Sequence, residues 1–277
     1  MIERLLYKYR KWEPYGKRML EENEFYFTSP RDLNDPFDCY IDPEFGRATR
    51  GEKLERLRQH LASRHPELDV SEIAKLALKQ YQPGGVFPGQ RDKKKWLAST
   101  LERQHNFYGI LSLSWTPIDV LMWTHYADQH KGICVGLSVD KIDAFITARV
   151  VEGKRTFFYR DPVQYVKERP VWNFLKDDTF EMLSKSFVTK SSAWSYEQEE
   201  RVFITVDPKM EPFLPLSEND RKVCLLKGTI REVWLGLNAP KETEKEVKQI
   251  LKGLNSEIVL RKADRERRKF SLTGKQI

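Results

Sequence analysis

Apolar and polar positions alternate at the start of the chain. Leu5, Tyr7 and Tyr9 fall on one side, and Leu6, Lys8 and Arg10 on the other. A period of two is that of a strand. Pro14 opens a short predicted helix to Leu20, and the aromatic run 24–28 (EFYFT) reads as a second strand. Residues 30–42 are rich in Asp, Asn and Pro and read as a loop. From Arg47 the period becomes helical. Leu54, Leu57 and Leu61 share a face, then Val70, Ile73 and Ala77 do so behind an Asp69-x-x-Glu72 capping pattern. Gln82-Pro83-Gly84-Gly85 breaks the chain, and a third helix is predicted from Gln90 to Gln104.

Strand character returns at 107–115. Thr116-Pro117 then predicts a helix start, with Thr as cap and Pro in the first position. That helix carries Leu121, Met122, Trp123, His125 and Tyr126. Strands are predicted at 132–138 and 163–166, and a helix at 171–190. From Tyr196 onward Glu197, Glu199, Arg201 and Phe203 alternate with Val202 and Ile204. A strand at 229–237, a helix at 240–251, a strand at 257–261 and an edge strand at 270–272 complete the series. Helices and strands mix without regular βαβ alternation, which predicts an α+β fold with a split, largely antiparallel sheet. Residues 1–46 and 107–277 form its core, and 47–106 a helical insertion.

Composition narrows the function. The chain has 277 residues and a net charge of +7. From Arg47 to Arg103 there are thirteen Lys/Arg against seven Asp/Glu, so much of the surplus lies in the insertion. Such a basic block suits nucleic acid as a partner, or is simply a solvated face. No run of about 18 apolar residues suggests a spanning helix. Cys39, Cys134 and Cys224 are odd in number and lie in no C-x-x-C pair, so free thiols are expected. The first residues lack an apolar signal core, which points to a cytoplasmic protein. Rossmann, Walker A, H-E-x-x-H, G-x-S-x-G and EF-hand patterns are absent.

Three clusters can carry chemistry. In the first, Asn34, Asp35 and Asp38 flank Pro36. They suit a cation or ribose hydroxyls, and equally suit turn formation. In the second, Trp123, His125 and Tyr126 sit on a helix ahead of His130. Aromatics there stack on a ring or fill a core. In the third, Glu197 and Glu199 are two apart with Arg201 continuing the row. Adjacent carboxylates repel unless a cation neutralises them or one is protonated. A carboxylate so placed stabilises developing positive charge on a sugar. Asp35, Asp38, Glu197 and Glu199 together also suit Mg²⁺ in a metal-dependent nuclease. An acidic row of purely structural use, in a nucleic-acid-binding module, is the third possibility.

Together the clusters resemble the bacterial domain-of-unknown-function 2971 family. The residues that carry the resemblance are Leu6–Tyr9, Leu33–Asp38, Leu121–Ala127 with Lys131-Gly132, and Trp194–Arg201. The order of elements is more distantly similar to DarT-like ADP-ribosyltransferases. Tyr7-Lys8-Tyr9 stands at the opening position, Leu113-Ser114 precedes Leu121-Met122, and Glu197/Glu199 follow. Lys8 stands where those enzymes have His or Tyr, and no Arg precedes the Met-Leu pair. That resemblance implies a sheet of ADP-ribosyltransferase type and NAD as co-substrate, in a toxin or phage-defence setting. It implies no metal. It assigns Glu199 as the lead acid, with Glu197 as helper and Arg201 as partner. Tyr7, Tyr9, Asn34, Asp35, Trp123, His125 and Tyr126 would contact NAD, and the basic insertion would meet a nucleic-acid acceptor.

Overall fold

The computed structural model describes residues 3–40, 42–44, 49–81, 90–151, 155–173, 179–207, 213–254 and 257–277. The chain opens with strand β1 (Leu5–Arg10), helix α1 (Pro14–Glu21) and strand β2 (Glu24–Tyr26). Pro14 in the first turn presets the helical φ. Strand β3 (Asp42–Glu44) leads to helices α2 (Arg50–Arg64), α3 (Val70–Gln80) and α4 (Gln90–Phe107). Asp69 and Glu72 form the capping box that the spacing predicts, and Thr49 with Glu52 forms another at α2. Leu57, Leu61, Ile73 and Ala77 make a small core between α2 and α3, apart from that of the sheet. The predicted break at Gln82–Gly85 and the predicted boundary at 46/47 lie outside the described residues.

Next come β4 (Tyr108–Ser114), α5 (Val120–Tyr126), β5 (Ile133–Ser138), α6 (Val139–Val151), β6 (Thr156–Pro162), β7 (Gln164–Val166) and β8 (Val171–Asn173). They are followed by α7 (Thr179–Val188), β9 (Thr189–Ser191), β10 (Glu199–Val206), β11 (Lys222–Cys224), β12 (Ile230–Leu235), α8 (Lys241–Gly253), β13 (Val259–Arg265) and β14 (Leu272–Gln276). The helix predicted at 171–190 is instead strand, helix and strand. The helix predicted to start at Thr116-Pro117 starts later. Its cap is Asp119, whose carboxylate accepts from the Met122 amide at 2.9 Å. The Pro117 carbonyl is used otherwise, taking the Trp123 indole N–H at 2.8 Å.

Eight strands form one sheet in the order β14-β13-β12-β5-β1-β4-β10-β6. Within this sheet only β12 and β13, joined through α8, run parallel, and its other pairs are antiparallel. One face is largely apolar. Leu6, Leu113, Leu137, Ile204 and Val233 pack there against α1, α6 and α8 through Leu20, Phe145 and Val247. The other face carries two separate apolar patches. Tyr9, Cys134 and Trp234 meet Trp123 of α5, while Ile110 and Phe203 meet Phe187 of α7. Between those patches the face is polar: Ser112 and Ser114 on β4, Glu199 and Arg201 on β10.

The sheet also parts at this point. β1 pairs along its whole length with β5, but with β4 only at Tyr7↔Ser114. Beyond Tyr7 the two strands diverge toward Arg10. Gly132 fixes that end of β1, because a Cβ there would lie 2.2 Å from the Arg10 carbonyl oxygen. No helix among the described residues is long and apolar enough to cross a membrane.

Candidate active site

A cavity of about 210 Å³ occupies the gap where β1 and β4 part. Tyr7, Lys8, Tyr9 and Arg10 of β1 line one wall, and Ile110 and Ser112 of β4 the other. Asn34 and Asp38 come from the loop after β2, Tyr126 from α5, and Lys190, Glu197 and Glu199 form the floor. The fold thus gathers most of the residues singled out from sequence.

Glu197 and Glu199 reach one another by a route that alternation does not predict. Glu197 ends a 3-10 turn (Ser192–Glu197), and Gln198 adopts a left-handed φ of 43° before β10 begins. The turn, not a continuous strand, brings both carboxylates onto one cation. The Lys190 ammonium lies 2.6 Å from Glu197 Oε2, 3.3 Å from Glu199 Oε2 and 3.5 Å from Asp38 Oδ2. Beneath it Arg201 is fully buried. Its guanidinium donates to Asp38 at 2.9 and 2.6 Å, to Glu199 at 2.8 and 3.0 Å, and to the Phe187 carbonyl at 2.7 Å. Three buried acids are therefore matched by two buried cations.

Lys190 takes the central place among these carboxylates that a divalent cation would need. Asp35 does not join them, its Oδ1 accepting from the Phe37 amide at 2.9 Å to close its own turn. No group of three or more His, Cys, Asp or Glu side chains among the described residues is set to hold a metal ion.

The two glutamates differ in character. Burial opposes ionisation of Glu199, but the charges of Arg201 and Lys190 outweigh it and hold the carboxyl down to about 2. Burial pushes the Glu197 carboxyl up, with Lys190 opposing and the Glu199 charge adding. Glu197 receives the Tyr126 hydroxyl at 2.5 Å and Lys190. A carboxylate accepts about four hydrogen bonds. Glu199 has spent three on Arg201 and Lys190, whereas Glu197 has two sites left for a ligand in the cavity. Burial and Glu197 together raise the Tyr126 phenol, so it stays a donor. The Asn34 amide in turn donates to the Tyr126 oxygen at 3.0 Å.

On the wall, Lys8 donates to the Ser112 carbonyl at 3.0 Å. Neither Lys8 nor Arg10 forms an ion pair with a described residue. Burial, helped by the Arg10 charge, pulls the Lys8 ammonium down to about 7. A buried cation without a carboxylate partner costs stability. Below pH 7 that cost is present in full; it is relieved as pH rises from 7 toward the ordinary lysine value. Lys8→Met should therefore stabilise the chain by about 1–2 kcal/mol at pH 6. Thermal melts of both proteins at pH 6 and pH 9 check this, and the gain should shrink at the higher pH.

Of the remaining candidates, Trp123 and His125 lie outside the cavity lining. Trp123 is completely buried, edge-on to Tyr9 at 5.2 Å, and does not line the cavity. His125 is exposed, with its ring 6.3 Å from those of Tyr126 and Tyr196. The Tyr7 and Tyr9 hydroxyls are engaged, donating to Glu232 at 2.8 Å and to the Thr116 carbonyl at 2.7 Å, so these residues offer the cavity their rings. Lys190, central to the site, has no mark in the sequence beyond a charge requirement. Arg201 alone meets Asp38 and Glu199, and Glu197 beside them calls for a second cation.

No curated protein and no solved structure matches the chain. Residues 122–202 do match a family, the protein of unknown function DUF2971. The segment leaves out Leu6–Tyr9 and Leu33–Asp38 but spans Tyr126, Lys190, Glu197, Glu199 and Arg201. This segment, which supplies the floor of the cavity, is what the chain shares with the DUF2971 family.

Proposed function

We propose that the cavity takes NAD as a substrate and that the chain cleaves its nicotinamide–ribose bond, as an ADP-ribosyltransferase-like enzyme. One observation carries the reading. The carboxylates on the floor are matched by Lys190 and Arg201, while Lys8 and Arg10 on the wall have no carboxylate partner among the described residues. The site therefore asks for a ligand with an anionic part for the wall and a sugar for the floor. A dinucleotide has both. The position of the cavity, where an antiparallel sheet parts, supports the same reading.

In this reading Lys8 and Arg10 meet the phosphates. Glu197, held by Tyr126 and Lys190, faces the ribose. The bond between ribose and nicotinamide breaks, and nicotinamide leaves with the bonding electrons. The carboxylate of Glu197 offsets the positive charge that develops on the ribose. An acceptor nucleophile, or water, then forms the new bond and gives up its proton. Glu199, whose oxygens are largely committed to Arg201 and Lys190, acts here as a positioning residue rather than as the lead acid.

Ligand binding stabilises a fold by about 2.7 kcal/mol at a hundred times Kd. NAD added without metal should raise Tm by several degrees, and Arg10→Ala should lose the shift while melting normally alone. A wild-type protein that melts identically with and without NAD overturns the reading.

A further inference from the structure

We infer that the tip of the β13–β14 hairpin docks a single-stranded nucleic acid, with Arg265, Arg267 and Arg268 on its phosphates and a base stacked on Phe270. This goes beyond the NAD reading and does not need it. The hairpin closes at Arg265↔Leu272, leaving residues 266–271 as its tip. Arg265, Arg267, Arg268, Lys269 and Phe270 are all exposed. Phe270 touches nothing that hides it, with a relative exposure of 109 %.

The charges of the hairpin divide in two. Arg261, Lys262, Lys269 and Lys275 are each paired, with Glu232, Glu244, Glu266 and Asp264. Glu266 is further occupied by the Ser271 hydroxyl at 2.6 Å. Arg265, Arg267 and Arg268 form no ion pair with a described residue. Three unneutralised guanidinium groups therefore crowd one turn beside a bare aromatic ring. Arg268 stands at a left-handed φ of 65°, where Gly or Asn is the easier choice. Guanidinium groups match phosphate oxygens in a planar, two-pronged way, and an exposed ring accepts any base on its face. A membrane surface would ask for more than one apolar side chain.

The hairpin also lies at a useful end of the sheet. Arg10, Ile133, Leu235 and Lys262 pair in one row across β1, β5, β12 and β13. Arg265 lies three residues past that row, about 10 Å beyond it. The tip therefore stands at the end toward which β1 and β4 part.

Anisotropy of a fluorescein-labelled oligothymidylate, titrated with the full chain between about 50 and 200 mM salt, tests the proposal. The wild type should bind with a salt dependence. Phe270→Ala should weaken binding by about tenfold with the salt slope unchanged. The combined Arg265→Gln, Arg267→Gln, Arg268→Gln variant should weaken it by more, and lower the slope by about 2. Both variants change only exposed side chains and should melt as the wild type does. Three outcomes overturn the proposal. Both variants bind like the wild type; or only Lys94→Gln with Lys95→Gln in α4 reduces binding; or Phe270→Ala spares the oligonucleotide and abolishes binding to phosphatidylserine vesicles.

Discussion

Arg201→Met should leave the chain about 3–5 kcal/mol less stable, a large part of the total stability of an ordinary domain. Arg201 is fully buried and neutralises Asp38 and Glu199 at once. Methionine fills most of the volume, so the loss is electrostatic rather than a cavity. Two buried carboxylates would be left with Lys190 alone. The acid response should change in step. Glu199 is held at about 2 in the fold, against an ordinary value of 4.5. Its contribution is present in full above 4.5 and is lost as pH falls toward 2. The variant lacks the main cause of that depression, so its stability should fall less steeply over this range. Urea unfolding of both proteins from pH 7 to pH 3 checks size and sign together.

Glu197→Gln should do the opposite: leave the fold and remove the function. Glutamine keeps the shape and can still accept from Tyr126. Lys190 retains Glu199 and Asp38 as partners. Burial already disfavours the charge of Glu197, so its removal costs little, and Tm should stay within a few degrees of the wild type. A neutral amide no longer offsets positive charge on the ribose. Losses of about 10²–10³ in rate accompany removal of such a stabilising group. If activity instead falls with Glu199→Gln and survives Glu197→Gln, the roles of the two acids are reversed.

The sequence discloses parts of this site unequally. Alternation places β1, β4, β5 and β10 correctly, because each has one face against a continuous core. It fails at Glu197, where a left-handed residue ends a 3-10 turn and strand periodicity does not apply. It also misses α6 and β6, which lie in a stretch with no clean period. The helix predicted at 171–190 rests on apolar residues that serve short strands at either end of α7. Trp123 shows the limit of reading aromatics. A stacking platform and a core residue have the same spacing, and here the core claims it. The counter-charges are the hardest to read. Lys190 and Asp38 are far from Arg201 in sequence or in pattern, and only the fold shows that they share one cluster.

In the proposed reading Glu197 promotes cleavage of NAD in the cavity between β1 and β4. Nicotinamide released from NAD by the purified chain, without metal, with and without a single-stranded oligonucleotide, measures it directly. Release by the wild type, lost in a well-folded Glu197→Gln variant, is the predicted result. Absence of release under both conditions, or equal release by the two proteins, contradicts the account.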